Sequence, residues 1–188
     1  MANSNKPNGF QLVGTLSGAP VSGAIQQYTM SGATALFPGD AVTLADDGTV
    51  TPAAAAGLIL GVCVGVKVDR SISSTEHPGY GSASSGAVVY VAVGPDYLYS
   101  VQEDSVGGAM VATNVGSNGD LVAGSGSTTL GTSGYVLDSS DVIAKDASAA
   151  SAQFRVVALD PTSGNDVGNY ARWIVRINEN SFTTATGL

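Results

Sequence analysis

Residues 171–178, ARWIVRIN, alternate strictly in an extended chain. Arg172, Ile174, Arg176 and Asn178 share one side, and Ala171, Trp173, Val175 and Ile177 the other. A period of two is the mark of a strand half buried against a core, and no long stretch of the chain carries the 3.6 period of a helix. The chain must therefore fold from short strands. In residues 58–69, LILGVCVGVKVD, the pattern puts Val62, Val64, Val66 and Val68 on one face and Gly61, Cys63, Gly65 and Lys67 on the other. Small residues on one face of a strand mark a place where another backbone approaches closely.

Further strands are expected at 10–15, 24–30, 87–93, 97–103 and 154–160. Weaker ones are expected at 110–113, 121–122 and 135–137. Residues 41–44 and 49–50 read as a hairpin, because Asp46-Asp47-Gly48 lies between β-formers. Gly94-Pro95-Asp96 predicts a second hairpin joining 87–93 to 97–103. Residues 71–86 and 161–169 read as loops, 124–134 as a flexible Gly/Ser/Thr loop, and 138–152 as room for a helical turn. About ten short strands with turn signals between them give an all-β fold, a single sandwich or barrel. The polar residues 1–9, with Pro7 and Asn8-Gly9, read as an N-terminal arm, 10–180 as the β domain and 181–188 as a C-terminal tail.

Charge narrows the partners. The formal net charge is −8, with 7 Lys+Arg against 15 Asp+Glu, and the basic residues are scattered singly. A nucleic-acid or anionic-membrane surface needs clustered cations, so neither partner is expected. An acidic surface suits solubility or a basic protein partner. Residues 1–9 lack the apolar stretch of a signal peptide, and no run is long and apolar enough to span a bilayer. The reading is a chain that folds in a cytosol. Cys63 has no disulfide partner and sits in an apolar run, which fits a small buried hydrophobe.

The chemical inventory is thin. His77 is the only histidine and lies beside Glu76 in a Ser-rich loop, but no Gly-x-Ser-x-Gly elbow accompanies it, so a solvated loop histidine is expected. Glu103 and Asp104 adjoin, and on a strand they point to opposite faces, which prevents a shared proton. Residues 160–166, DPTSGND, are rich in oxygen but lack the spacing and closing glutamate of a calcium loop. Gly124-Ser125-Gly126 precedes no helix and no Lys-Ser/Thr pair, so it cradles no phosphate. Tyr80, Tyr90, Tyr97, Tyr99 and Trp173 offer rings for a sugar platform, although cross-strand packing is the commoner reason for such a set. No catalytic residue, metal or cofactor is expected, and the chain reads as a non-enzyme.

Several segments, in one order over most of the chain, resemble the decoration or cement proteins of tailed-bacteriophage heads. They are Asn5-Lys6-Pro7-Asn8-Gly9 with Gly18-Ala19; Pro38-Gly39-Asp40-Ala41-Val42; Gly61-Val62 with Val64-Gly65; and residues 91–96 leading to Val101-Gln102-Glu103-Asp104. Val157-Ala158-Leu159-Asp160, Gly168 with Tyr170-Ala171-Arg172, and Val175 with Ile177-Asn178 complete the set. Residues 107–153 match loosely. The resemblance implies a virion protein with a jelly-roll-like sandwich and no cofactor. It would be made in the host cytoplasm and bound to the outer capsid surface. Its expected partners are the major capsid protein and copies of itself, a trimer ahead of a dimer. The alternative is a carbohydrate-binding head or tail accessory protein for host attachment. Within the capsid reading, the polar termini are expected to lie along neighbouring subunits. Lys6, Pro7, Asn8, Phe10 and Phe182 are the contact candidates, with an aromatic anchor at the inner end of each arm.

Overall fold

A computed structural model describes residues 3–67, 79–83, 86–144 and 152–183. In chain order these hold β1 (Gln11–Thr15), a 3₁₀ turn (Val21–Ala24), β2 (Ile25–Thr29), β3 (Ala41–Leu44), β4 (Val50–Pro52) and β5 (Gly61–Val66). There follow β6 (Val88–Ala92), β7 (Tyr97–Gln102), a 3₁₀ turn (Ala112–Asn114), β8 (Asn118–Gly119) and β9 (Leu121–Val122). Last come β10 (Val136–Leu137), α1 (Ser139–Ala144), β11 (Phe154–Leu159) and β12 (Arg172–Ile177). The fold is all-β. One sheet runs β1-β7-β12-β11-β8, a second runs β2-β6-β5-β3-β4, and β10 and β9 form a ribbon.

The alternation in β12 does what its sequence demands. Ala171, Trp173, Val175 and Ile177 are buried in the core between the sheets, with Tyr97, Tyr99, Val101, Phe154 and Val156 from the same sheet. Ala41, Val62 and Ala92 meet them from the second sheet. The outer face of the second sheet holds its own cluster, including Met30, Val42, Val50, Leu60, Cys63, Val89 and Val91. Residues 30–36 fold over that face. Met30 bridges Val50 in parallel and Leu36 bridges Gly81, so the sheet curls around a second core.

Four expectations are corrected. β6 and β7 do not form a hairpin, since they belong to different sheets. The corner between them is filled by the Tyr97 ring, which leaves no room for a Cβ on Gly94. The Tyr97 hydroxyl donates to Val21 O and accepts from Ala24 N at 3.0 Å, and the Tyr99 hydroxyl crosses the core to Ala92 O at 3.1 Å. Aromatic anchoring thus overrides the local turn signal. In β5 the pairing slips between Cys63 and Gly65. Val62 and Val64 face the inter-sheet core, whereas Val66 joins Cys63 on the outer cluster; a bulge reverses the alternation. Residues 124–134 are held in place. A Cβ on Gly124 would lie 2.1 Å from Gly134 O, a Cβ on Gly126 would strike the Phe37 ring, and Ser127 bridges Thr132. Residues 110–113 contribute a 3₁₀ turn rather than a strand. Residues 138–152, read as room for a helical turn, hold one as α1, where Asp138 Oδ1 accepts from Asp141 N at 3.0 Å and caps its start.

Candidate interaction surface

The N-terminal arm has no regular structure, yet it is tied to its own domain. Asn3 Nδ2 donates to Asp166 O at 2.7 Å and Asn169 O at 3.1 Å, and Asp166 N donates back to Asn3 Oδ1 at 3.1 Å. Lys6 N donates to Gln102 Oε1 and Gln102 Nε2 to Asn5 Oδ1, both at 2.9 Å. Arg172 Nη2 donates to Lys6 O at 3.2 Å. The arm therefore lies across the ends of β7 and β12 and the loop at 160–171. Residues 3–9, expected to lie along a neighbouring subunit, are thus engaged by their own domain. The polar sequence is satisfied in cis, by backbone and amide partners that the residue pattern alone does not name.

Phe10 is likewise no external anchor. It is 1% exposed, its ring stacks on Phe154 at 4.4 Å between centroids, and its N–H donates to Gly39 O at 2.8 Å. Gly9 admits the chain to this core. Its φ is +66°, and a Cβ there would lie 2.4 Å from Gly39 O and 2.5 Å from Ser133. Of the arm candidates, Lys6 and Pro7 remain exposed and Asn8 is half buried. Phe182 is 58% exposed. It is held on a separate set of partners, with its N–H on Asn180 Oδ1 at 2.9 Å and Ser181 N on Ile59 O at 2.9 Å. Residues 184–188 of the tail lie outside the described residues.

Several acids among the described residues are buried or hydrogen-bonded within the fold. Asp40 is 3% exposed, and burial pushes its carboxyl up to about 6. Phe37 N donates to Oδ2 at 2.8 Å; the Ser133 hydroxyl leans on the same carboxylate without completing a hydrogen bond to Oδ1. Asp40 lines an open cleft of about 390 Å³ with Phe37, Tyr135, Gly124 and Gly126. Burial also raises Glu103, whose Oε2 accepts from Met110 N at 2.7 Å. Asp104 instead accepts from Ser139 N at 3.1 Å and Ser139 Oγ at 2.8 Å, so the two acids are separated. Burial would raise Asp160 too, but hydrogen bonds from Ser100 and Thr162, with Arg172 nearby, outweigh it and hold the carboxyl low. The Cys63 thiol is buried and pushed up to about 12 by desolvation, so it is inert at neutral pH.

The rings weighed as a sugar platform do not form one surface among the described residues. Tyr97, Tyr99 and Trp173 are core residues, and Tyr80 stacks on Phe37 at 4.7 Å. His77 and Glu76 lie outside the described residues. What the residue-by-residue reading missed is a run rather than a residue: no charged side chain occurs between Lys6 and Asp40. In a chain of net charge −8 this is the longest uncharged run, and its exposed apolar side chains include Val13, Leu16 and Ile25. It builds β1 and β2, the outermost strands of the two large sheets on the side where β6 turns into β7. No family model, curated protein or solved structure matches the chain.

Proposed function

We propose that this protein is a structural component of a bacteriophage virion, bound to the outer capsid surface, where it stabilises contacts between capsomers. The observation that carries the reading is the way the family-like segments come together. Gly9 packs on Gly39; Asn5 and Lys6 bind Gln102 and Arg172. Glu103 N donates to Ala171 O at 3.0 Å, and Val42 pairs with Gly61. Segments far apart in sequence thus form one continuous strip from the arm through both sheets. The jelly-roll-like character and the symmetric assembly belong to the same proposal.

In this reading the arm is a fixed surface rather than a loose tether. Tied in cis, it acts as an exposed ridge that offers the Lys6 side chain and Pro7 to an acidic or polar capsid surface, with Phe182 as a separate apolar contact. The test is the copy number of this protein in purified particles, measured by quantitative mass spectrometry. Hundreds of copies are expected; a handful would point to a tail or host-attachment accessory, and none would end the virion reading. Lys6→Glu is expected to lower capsid occupancy at fixed protein concentration and leave the melting temperature unchanged, since the side chain is exposed. Unchanged occupancy removes Lys6 from the contact.

A further inference from the structure

The two five-stranded sheets have four outer edges, and three are guarded. β1 carries a bulge between Leu12 and Gly14. β4 ends in Pro52 and is bridged at Val50 by Met30. β8 has two residues and lies against α1, where a Cβ on Gly119 would strike Val142. Bulges, prolines and short strands are the usual protection of a sheet edge. β2 has none of these. Its five residues, IQQYT, pair with β6 in unbroken register, with no charge and no proline, and all but Tyr28 are exposed.

The hydrogen-bond phase of β2 follows from its ends. Val93 N donates to Ala24 O and Met30 N donates to Ala87 O, both at 2.9 Å. In an antiparallel pair the bonded residues alternate, so the even-numbered residues of β2 face β6. Ile25, Gln27 and Thr29 therefore turn their N–H and C=O groups outward. Their side chains lie on the face of Ala92, the inner face of the sheet, and stay exposed there, whereas Gln26 and Tyr28 lie on the outer face with Val91 and Val89.

We propose that a second copy of this chain occupies this edge, with the two β2 strands antiparallel about a twofold axis at Gln27. The phase suits that pairing. Gln27 meets its own counterpart and Ile25 meets Thr29 of the copy, so all three outward residues exchange backbone hydrogen bonds. The side-chain pairs are two β-branched pairs flanking a Gln–Gln pair, with no like charges opposed. The edge is its own complement about Gln27, which selects the copy, and charge decides only where two copies can meet. Two molecules of net charge −8 repel across most of their surfaces, and the uncharged run at 7–39 is where they can meet without that cost. The apolar side chains of Ile25 and Leu16 lie on this run. The second sheet then continues through the axis into its copy, an isologous contact. This inference does not depend on the capsid reading, and its twofold differs from the trimer implied by the family resemblance.

Sedimentation velocity on the full chain, from about 1 to 300 µM, should show mass rising to twice the 18.6 kDa of one chain. Gln27→Lys, which opposes two cations on the axis, is expected to raise the dissociation constant at least about tenfold. Thr29→Lys tests the same edge at a second exposed position, and circular dichroism checks that both variants stay folded. Hydrogen exchange gives the direct readout: the amides of Ile25, Gln27 and Thr29 should gain protection with concentration. A chain that stays monomeric throughout overturns the proposal. So does a trimer, a dimer indifferent to both lysine variants, or a dimer whose three amides exchange as in the monomer.

Discussion

Gly9 shows how one residue joins the arm to the core. Two independent constraints fall on it: a left-handed backbone at φ +66° and a Cβ position already filled by Gly39 O and Ser133. Gly9→Ala should therefore cost on the order of 2–4 kcal/mol in urea unfolding. Gly18→Ala is the control, since φ is +73° there but the space is open; its cost should stay near 1 kcal/mol. Asp40 makes a different prediction at the same scale. Below its unfolded value of 3.8 the carboxyl is protonated whether the chain is folded or not. Between there and about 6 the folded protein keeps a proton that the unfolded chain has released, so stability falls as pH rises. Above that range the buried charge persists as a penalty on the order of 2–3 kcal/mol. Asp40→Asn keeps an acceptor for Phe37 N and removes the charge. Its stability relative to wild type should rise between pH 4 and 6 and plateau above. Asp160, held low, contributes stability that is lost as pH falls, so the difference between the two proteins is the quantity to follow.

At the scale of elements, legibility tracked how local each determinant is. The alternation of β12, the β3–β4 hairpin and the capped turn of α1 depend on neighbouring residues, and all were legible. The β6–β7 crossover depends on Tyr97 reaching Val21 and Ala24, more than 70 positions away, and Gly94-Pro95-Asp96 gives no sign of it. The arm's attachment to its own domain was not legible because its partners, Gln102, Asp166 and Arg172, are distant in sequence. β5 separates the two kinds of information within one strand. Gly61 is small for the reason the pattern gave: a Cβ would sit 2.2 Å from Ala92 O. Gly65 lies past the bulge, where the nearest atom, on Tyr90, is 3.9 Å away. Gly61→Ala should cost about 3 kcal/mol or more, and Gly65→Ala less than about 1. Equal costs by equilibrium denaturation would contradict the bulge.

For the whole molecule, the division of strands between sheets has a temporal meaning. The second sheet draws all its strands from residues 25–92, whereas the first waits for β11 and β12, after residue 150, before β7 has both neighbours. Chains emerging from a ribosome fold in the order their contacts become available. The curled sheet, with the parallel Met30–Val50 bridge and its own apolar cluster, can thus close while the rest is still being made. Pulse-labelled hydrogen exchange on stalled nascent chains should find Val89 and Val91 protected before Tyr99, and Tyr99 only once β12 has emerged. Until then, the inner face of the finished sheet, with Ala41, Val62 and Ala92, stays uncovered. The early half of this protein is a template that the late half completes, and exposure to aggregation is greatest in the interval between them.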